Sequence, residues 1–374
     1  MPKIYSSIAC NLDTGILSAA LPLFENEKVQ AIEWAFDTLF KQENTPLWFK
    51  ELIQEFANRG RLVGHGVFFS LFSGRWSADQ QAWLAGLKTL SKEFRFDHIT
   101  EHFGFMTGED FHKGAPISIP FTPTTLALGR DRLLRIQDAC NCPVGLENLA
   151  FSYSIEEVKN HGSFLEKLIV PVNGFIILDL HNLYCQLHNF RITDDVLLSF
   201  YPLDKVREIH ISGGSWADHV SGKDGKIRRD THDDAVPEEV FALLKVILGK
   251  CPNLKFVVLE QLGTALNTEE EQIRFRRDFY KMDMIIQKYN LTSISGPTDD
   301  FLPRLSQKPS DFPVESASLY EQQQQLSQIL ENAVSYTQAQ NLLLNSGLAN
   351  SEWNVENWEP HMLETAIAIA QKWK

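Results

Sequence analysis

The sequence predicts an α/β chain, a (β/α)₈ TIM barrel followed by a C-terminal helical extension, and three observations carry that expectation. Short β-branched or apolar runs recur at intervals of a few tens of residues, and eight can be counted. Segments with helical periodicity lie between them. The first run leads into Asn11-Leu12-Asp13-Thr14-Gly15, which is not the glycine-rich phosphate turn that usually opens a doubly wound sheet.

In chain order the strands are expected at residues 4–10, 31–36, 62–67, 96–101, 143–148, 175–180, 206–212 and 256–260. Helical spacing is clearest at 81–94, 155–168 and 237–248. Strands alternating with helices imply a parallel sheet. Eight such units in roughly 250 residues are the size of a closed barrel. Residues 1–300 are therefore assigned to a metal-binding catalytic barrel. Residues 301–318 hold Pro303, Pro309 and Pro313 with several serines and are expected to be a linker. In 319–374, Leu326, Ile329, Leu330 and Ala333, then Leu363, Ala366, Ile367 and Ala370, repeat at helical spacing and predict a helical extension.

Composition narrows the function. The 374 residues are 44% apolar, enough for a sizeable core, and no run of apolar residues is long enough to span a membrane. Met1-Pro2-Lys3-Ile4-Tyr5 has no export pattern, and the five cysteines are scattered with no Cys-x-x-Cys pair. A reducing cytoplasm is expected. A net charge of -13 argues against nucleic acid as a partner.

The chemical signal lies at the strand ends. His65, Glu101-His102, Glu147-Asn148, Asp179, His210 and Glu260 close six of the eight strands, and Asp230-Thr231-His232 follows the seventh. In a parallel barrel these ends open on one face. Four imidazoles and four carboxylates would then share a pocket, and burying that many carboxylates without compensation is very costly. Multivalent cations resolve the conflict by binding carboxylate oxygen and neutral imidazole directly. Asn182 could add its amide oxygen or orient a neighbour. Glu101, Asn148 and His181 are expected to support the ligands rather than bind metal. Isolated histidines such as His98, His112 and His188 are expected to be structural or solvated, with His98→Ala near neutral.

These segments resemble the multinuclear non-heme iron-dependent oxidative enzymes, the family of the methanobactin-biosynthesis oxidase. The resemblance rests on Gly64-His65-Gly66-Val67 with Ser70, Thr100-Glu101-His102-Phe103, Leu146-Glu147-Asn148 and Leu178-Asp179-Leu180-His181-Asn182-Leu183-Tyr184. It continues through Glu208-Ile209-His210-Ile211-Ser212-Gly213, Asp230-Thr231-His232-Asp233 with Val236-Pro237, and Leu259-Glu260. It runs in order over roughly residues 1–300. It implies a barrel like those of xylose isomerase and AP endonuclease, and two or three irons of mixed Fe²⁺/Fe³⁺ valence. The implied ligands are His65, His102, Glu147, Asp179, His210, Asp230, His232 and Glu260, with Asn182 as a further candidate. The implied reaction is O₂-dependent modification of a ribosomally made precursor peptide, often at cysteine, and leaves room for a peptide-binding partner protein. The chain departs from the family at His181, often Asn, and at Gln261-Leu262, often Arg-Asp.

Rival readings are a trinuclear-zinc phosphodiesterase of the AP endonuclease type, a divalent-metal sugar isomerase, and a metal store. The acidic charge speaks against the first, and the lack of a lysine at a strand end against the second. Ligands fixed on rigid strands speak against the third. For the extension, packing on the barrel is the simplest expectation. A functional one is peptide docking through Trp353, Trp358 and Trp373.

Overall fold

The computed structural model describes residues 3–40, 45–106, 116–218, 225–293, 300–303 and 307–372. Eight parallel strands form a closed barrel: β1 Tyr5–Ala9, β2 Ala31–Trp34, β3 Leu62–Gly66, β4 His98–His102, β5 Val144–Glu147, β6 Phe175–Asp179, β7 Val206–Ile211 and β8 Phe256–Leu259. Each strand pairs with its sequence neighbours, and β8 closes onto β1. Two hairpins decorate the C-terminal end, Phe105–Met106 with Pro116–Ile117, and Trp216–Asp218 with Lys226–Arg228. The helices are α1 Thr14–Glu25, α2 Leu47–Asn58, α3 Ala78–Glu93, α4 Pro123–Cys140, α5 Ile155–Ile169, α6 Leu180–Phe190, α7 Asp194–Leu198, α8 Glu238–Ile247 and α9 Glu269–Thr292. The extension adds α10 Ala317–Asn332, α11 Tyr336–Leu344 and α12 Pro360–Lys372. No described helix is long and apolar enough to cross a membrane.

The expected barrel is present, with strand ends shifted by a residue or two. The second strand stops at Trp34 because a 3₁₀ turn, Phe36–Leu39, takes over. The fourth runs on to His102 because it pairs with β5 through His102 opposite Glu147.

Side-chain alternation sorts each strand into two faces. Ile99, Leu146, Ile176, Leu178, Ile209, Val257 and Leu259 belong to the apolar layer between barrel and helices. Their neighbours on the other parity point along the barrel axis. Near its N-terminal end that interior holds apolar side chains, with Ala31, Val63 and Phe256 packed together and Phe175 and Ile177 against Phe301, around the buried His98. Above these side chains it is lined by the candidate ligands. The β6–β7 register shifts between Ile176 and Ile177, so that Ile176 faces Val206 and Ile177 faces Glu208. Arg207 is the extra residue of this irregularity.

The extension does not stand apart. Phe301 sits under the barrel against Phe175 at 5.7 Å. The chain then climbs α4, where Arg135 and Arg132 donate to the Ser310 and Val314 carbonyls at 2.8 and 2.9 Å. At the C-terminal end Ser316 N–H donates to Gly74 O at 2.8 Å. Phe105 packs on Trp353, and Tyr153 stacks on Trp358 with ring centroids 3.6 Å apart. Helices α10 to α12 thus cover loops on the face where the candidate ligands lie.

Candidate metal centre

Strand register brings the candidates together. Asp179 lies opposite His210, and Val258 faces His210 so that Glu260 follows two residues above it. Three donor groups result. His65 Nε2 and His102 Nε2 are 3.3 Å apart, and each faces Glu147 Oε2, at 3.5 and 3.3 Å. His210 Nδ1 lies 3.5 Å from Glu147 Oε1 and 3.2 Å from Glu260 Oε2, with Asp179 in the same group. His232 Nε2 lies 2.8 Å from Asp230 Oδ1, and His232 Nδ1 is 3.8 Å from Glu260 Oε2. Glu147 belongs to the first two groups and Glu260 touches the second and third.

These spacings suit donors around a cation. Two ligands about 2.1 Å from one ion, at angles between octahedral and tetrahedral, lie roughly 3.0–3.4 Å apart. The Asp230–His232 contact, at 2.8 Å, is instead within ordinary hydrogen-bond distance. The unpartnered atoms agree. Asp179 Oδ2, Asn182 Oδ1 and His210 Nδ1 are buried without a well-formed hydrogen bond. Buried polar atoms left unmatched are costly.

Supporting contacts set which ring nitrogen is free. The Thr100 hydroxyl donates to Gly64 O at 3.2 Å, so it accepts from His65 Nδ1–H at 2.8 Å. His65 then presents an unprotonated Nε2 to Glu147. Glu33 Oε2 lies 3.1 Å from His210 Nε2 and holds its proton there, which leaves Nδ1 for the centre. One Asp179 oxygen caps α6 by accepting from Asn182 N–H at 2.6 Å, and the other is free. Asn148 ties β5 to β6, its Oδ1 accepting from Asp179 N–H at 2.6 Å.

The electrostatics show an uncompensated site. Burial pushes Asp179 well above the usual carboxylate range, with Asp230 and Glu147 adding repulsion. Burial lowers His65 to about 4, helped by His102. Burial opposes a charge on His210, yet Glu260 and Glu33 raise it well above the usual imidazole range. His232 is raised in the same way by Asp230. The carboxylates thus draw protons onto the neighbouring imidazoles, a demand for positive charge that cations would meet in their place.

The supporting residues fall in three positions. His181 Nδ1 meets Asp230 Oδ1 at 3.1 Å, and its Nε2 accepts from Arg228 at 3.1 Å. Asn182 Nδ2 donates to Asn148 O at 2.8 Å, leaving its oxygen unpartnered. Glu101 faces outward instead, beside Asp37, and accepts from His102 N–H at 3.1 Å. Burial raises its carboxyl well above the ordinary range.

Several expectations are corrected. The sequence spacing Asp230-x-His232 reads as an extended segment with both side chains on one side, but His232 adopts a φ of 52° and its carbonyl accepts from Leu262 N–H at 2.8 Å. A left-handed histidine is a strained conformation, and here it turns the ring back onto Asp230. Trp353 and Trp358 are only 2% and 8% exposed. They are packed between the extension and the barrel loops, on Phe105 and Tyr153, and offer no open docking face. Trp373 and His112 lie outside the described residues. His188 is tied to Lys226 O at 2.7 Å. His98 is fully buried between Asp97 and Glu208, at 2.9 and 2.7 Å. Its replacement cannot be neutral, because two buried carboxylates would lose their partner.

The sequence assigns no role to Glu33, nor to Thr100 and Glu208 within their motifs. Glu33 and Glu208 gather around His210 Nε2. Their signal was an acidic residue inside a wholly buried strand, and the Glu208-x-His210 spacing that puts both on one face.

A family model described as RiPP precursor modification enzyme MbnB/TglH/ChrH matches residues 20–267. A UPF0276 protein of Chromobacterium violaceum is 28% identical over 212 residues, covering 56% of this chain and 72% of that protein. One from Caulobacter vibrioides is 26% identical over 188 residues, covering 50% and 64%. Among solved structures, a xylose isomerase domain protein from Planctomyces limnophilus aligns with a TM-score of 0.48 at 15% identity, over 78% of this chain and all of its own.

Proposed function

The chain belongs to the RiPP precursor modification enzyme MbnB/TglH/ChrH family, and from that premise we propose that it oxidatively modifies a ribosomally made precursor peptide, at cysteine, with O₂ as co-substrate and two or three irons in its barrel. The observation that carries this reading is Glu147, whose two oxygens serve two adjoining donor groups. One carboxylate shared by two sets of imidazole and carboxylate donors is an arrangement for more than one cation. The donors are nitrogen and oxygen without thiolate, a set that suits iron and leaves room for a substrate sulfur.

His65, His102 and Glu147 would hold one ion, and Glu147, Asp179, His210 and Glu260 a second. Asp230 and His232, with Asn182 as a further donor, would serve a third. Bound iron would supply the redox chemistry with O₂. The protein's part is to fix donors and tautomers through Thr100, Glu33 and His181, and to keep bulk water from the barrel interior. His102 and His232, with side chains 28% and 24% exposed, mark the open edge where a peptide would approach.

The test is anaerobic purification, elemental analysis, and O₂ uptake with a synthetic peptide library of one cysteine per chain. We expect two or three irons, and O₂ uptake that depends on cysteine and disappears with a serine library. One zinc with no iron, or phosphodiester hydrolysis without O₂ uptake, would overturn the proposal.

A further inference from the structure

Beside the candidate centre lies a cleft of about 270 Å³ with Asp230 and His232 at its base. Leu149, Phe151 and Leu262 from the barrel loops form one wall, and Met362, Thr365 and Ile369 from α12 form the other. The second wall comes from the extension, far beyond residue 267, where the family match ends. It is held firmly: His361 Nε2 donates to Asn189 O at 3.0 Å, and Gln371 donates to Ala333 O at 2.7 Å. The cleft is mostly apolar beside a strongly polar base. Arg229 lines its edge, and its guanidinium has no hydrogen bond or ion pair among the described residues.

We propose that α12 completes a specificity subsite for the precursor peptide, taking an aliphatic side chain next to the reacting residue and a nearby carboxylate at Arg229. This rests on the peptide reading above. The occupant follows from the lining. The space of about 270 Å³ has room for one or two side chains and not for a folded partner. Exposed Leu262 and half-buried Ile369 gain by being covered with aliphatic surface, whereas a polar side chain would lose its water without a partner. A cation at the rim of a chain with net charge -13 favours an acidic neighbour. Because the wall belongs to the extension, the preference belongs to this chain and not to the barrel it shares with its relatives.

The experiment pans a phage-displayed library of random peptides around one fixed cysteine against the full-length protein. Ile369→Arg, Thr365→Arg and Leu262→Arg are panned in parallel, and metal content and melting temperature confirm that each is folded. Enriched peptides should carry Val, Leu or Ile within two positions of the cysteine and Asp or Glu close by. Each arginine variant should reduce the aliphatic preference tenfold or more, and Arg229→Glu should turn the acidic preference basic. Cysteine-dependent enrichment with no aliphatic bias, or a bias unchanged in all three folded arginine variants, overturns the subsite and leaves the peptide reading standing. No enrichment over bare support removes both.

Discussion

The two halves of the barrel interior use the same residue types to opposite ends. In the lower half, Asp97 accepts from Arg207 at 2.8 Å, pairs with Lys255, and meets His98, whose other nitrogen reaches Glu208 at 2.7 Å. Cations and carboxylates there are matched within the protein. In the upper half, no Arg or Lys among the described residues pairs with Glu147, Asp179, Asp230 or Glu260, and Asp179 Oδ2 and His210 Nδ1 stay unpartnered. Glu33 and Glu208 join the halves beneath His210. A buried charge network completed by Arg and Lys is structure. One that withholds its countercharge is a place for ions brought from outside.

The contrast predicts different consequences for similar substitutions. The largest effect belongs below. His98→Ala leaves Asp97 and Glu208 short of a partner and should cost about 3–5 kcal/mol in chemical denaturation, with no recovery on adding metal. A loss under about 1 kcal/mol would break the comparison.

Asp97→Asn should cost nearly as much at neutral pH, and its pH dependence gives the sign. His98 and Arg207 beside Asp97 outweigh burial and hold its carboxyl well below the usual range. That stability is therefore present above the unfolded pKa near 3.9. It is lost as pH falls through the folded value. The difference between wild type and variant should be flat from pH 8 to 5 and shrink below about 4. A difference that grows in acid contradicts the pairing.

Above, His210→Ala should act through metal. Ferrous iron at a hundred times its Kd should stabilise the wild type by about 2.7 kcal/mol, and the variant should lose most of that gain. Full iron and full stabilisation in the variant would remove His210 from the centre. Glu33→Gln gives the smallest effect. It keeps His210 but weakens the group fixing its tautomer, so iron affinity should fall about tenfold to a hundredfold with little change in metal-free stability. Unchanged affinity would reduce Glu33 to packing.

What the sequence disclosed follows the same division. Strand ends were legible because His65, His102, Glu147, Asp179, His210 and Glu260 each stop an apolar run. The lower network was not. Strands buried on both faces read as continuous apolar runs, and Glu33, His98 and Glu208 are isolated exceptions whose partners come from other strands. Arg207 reaches Asp97 from a register irregularity between β6 and β7 that no periodicity announces. The extension's helices were legible from spacing. Their seat was not, since Trp353 and Trp358 look the same in sequence whether packed inward or displayed.

The most direct measurement is anaerobic titration of the metal-free full-length protein with ferrous iron, following bound iron per chain and melting temperature together. The contrast between the halves predicts at least two ions bound per chain, each addition raising the melting temperature until the donor groups are filled. Saturation at one ion or fewer, or a melting temperature indifferent to iron, would contradict it.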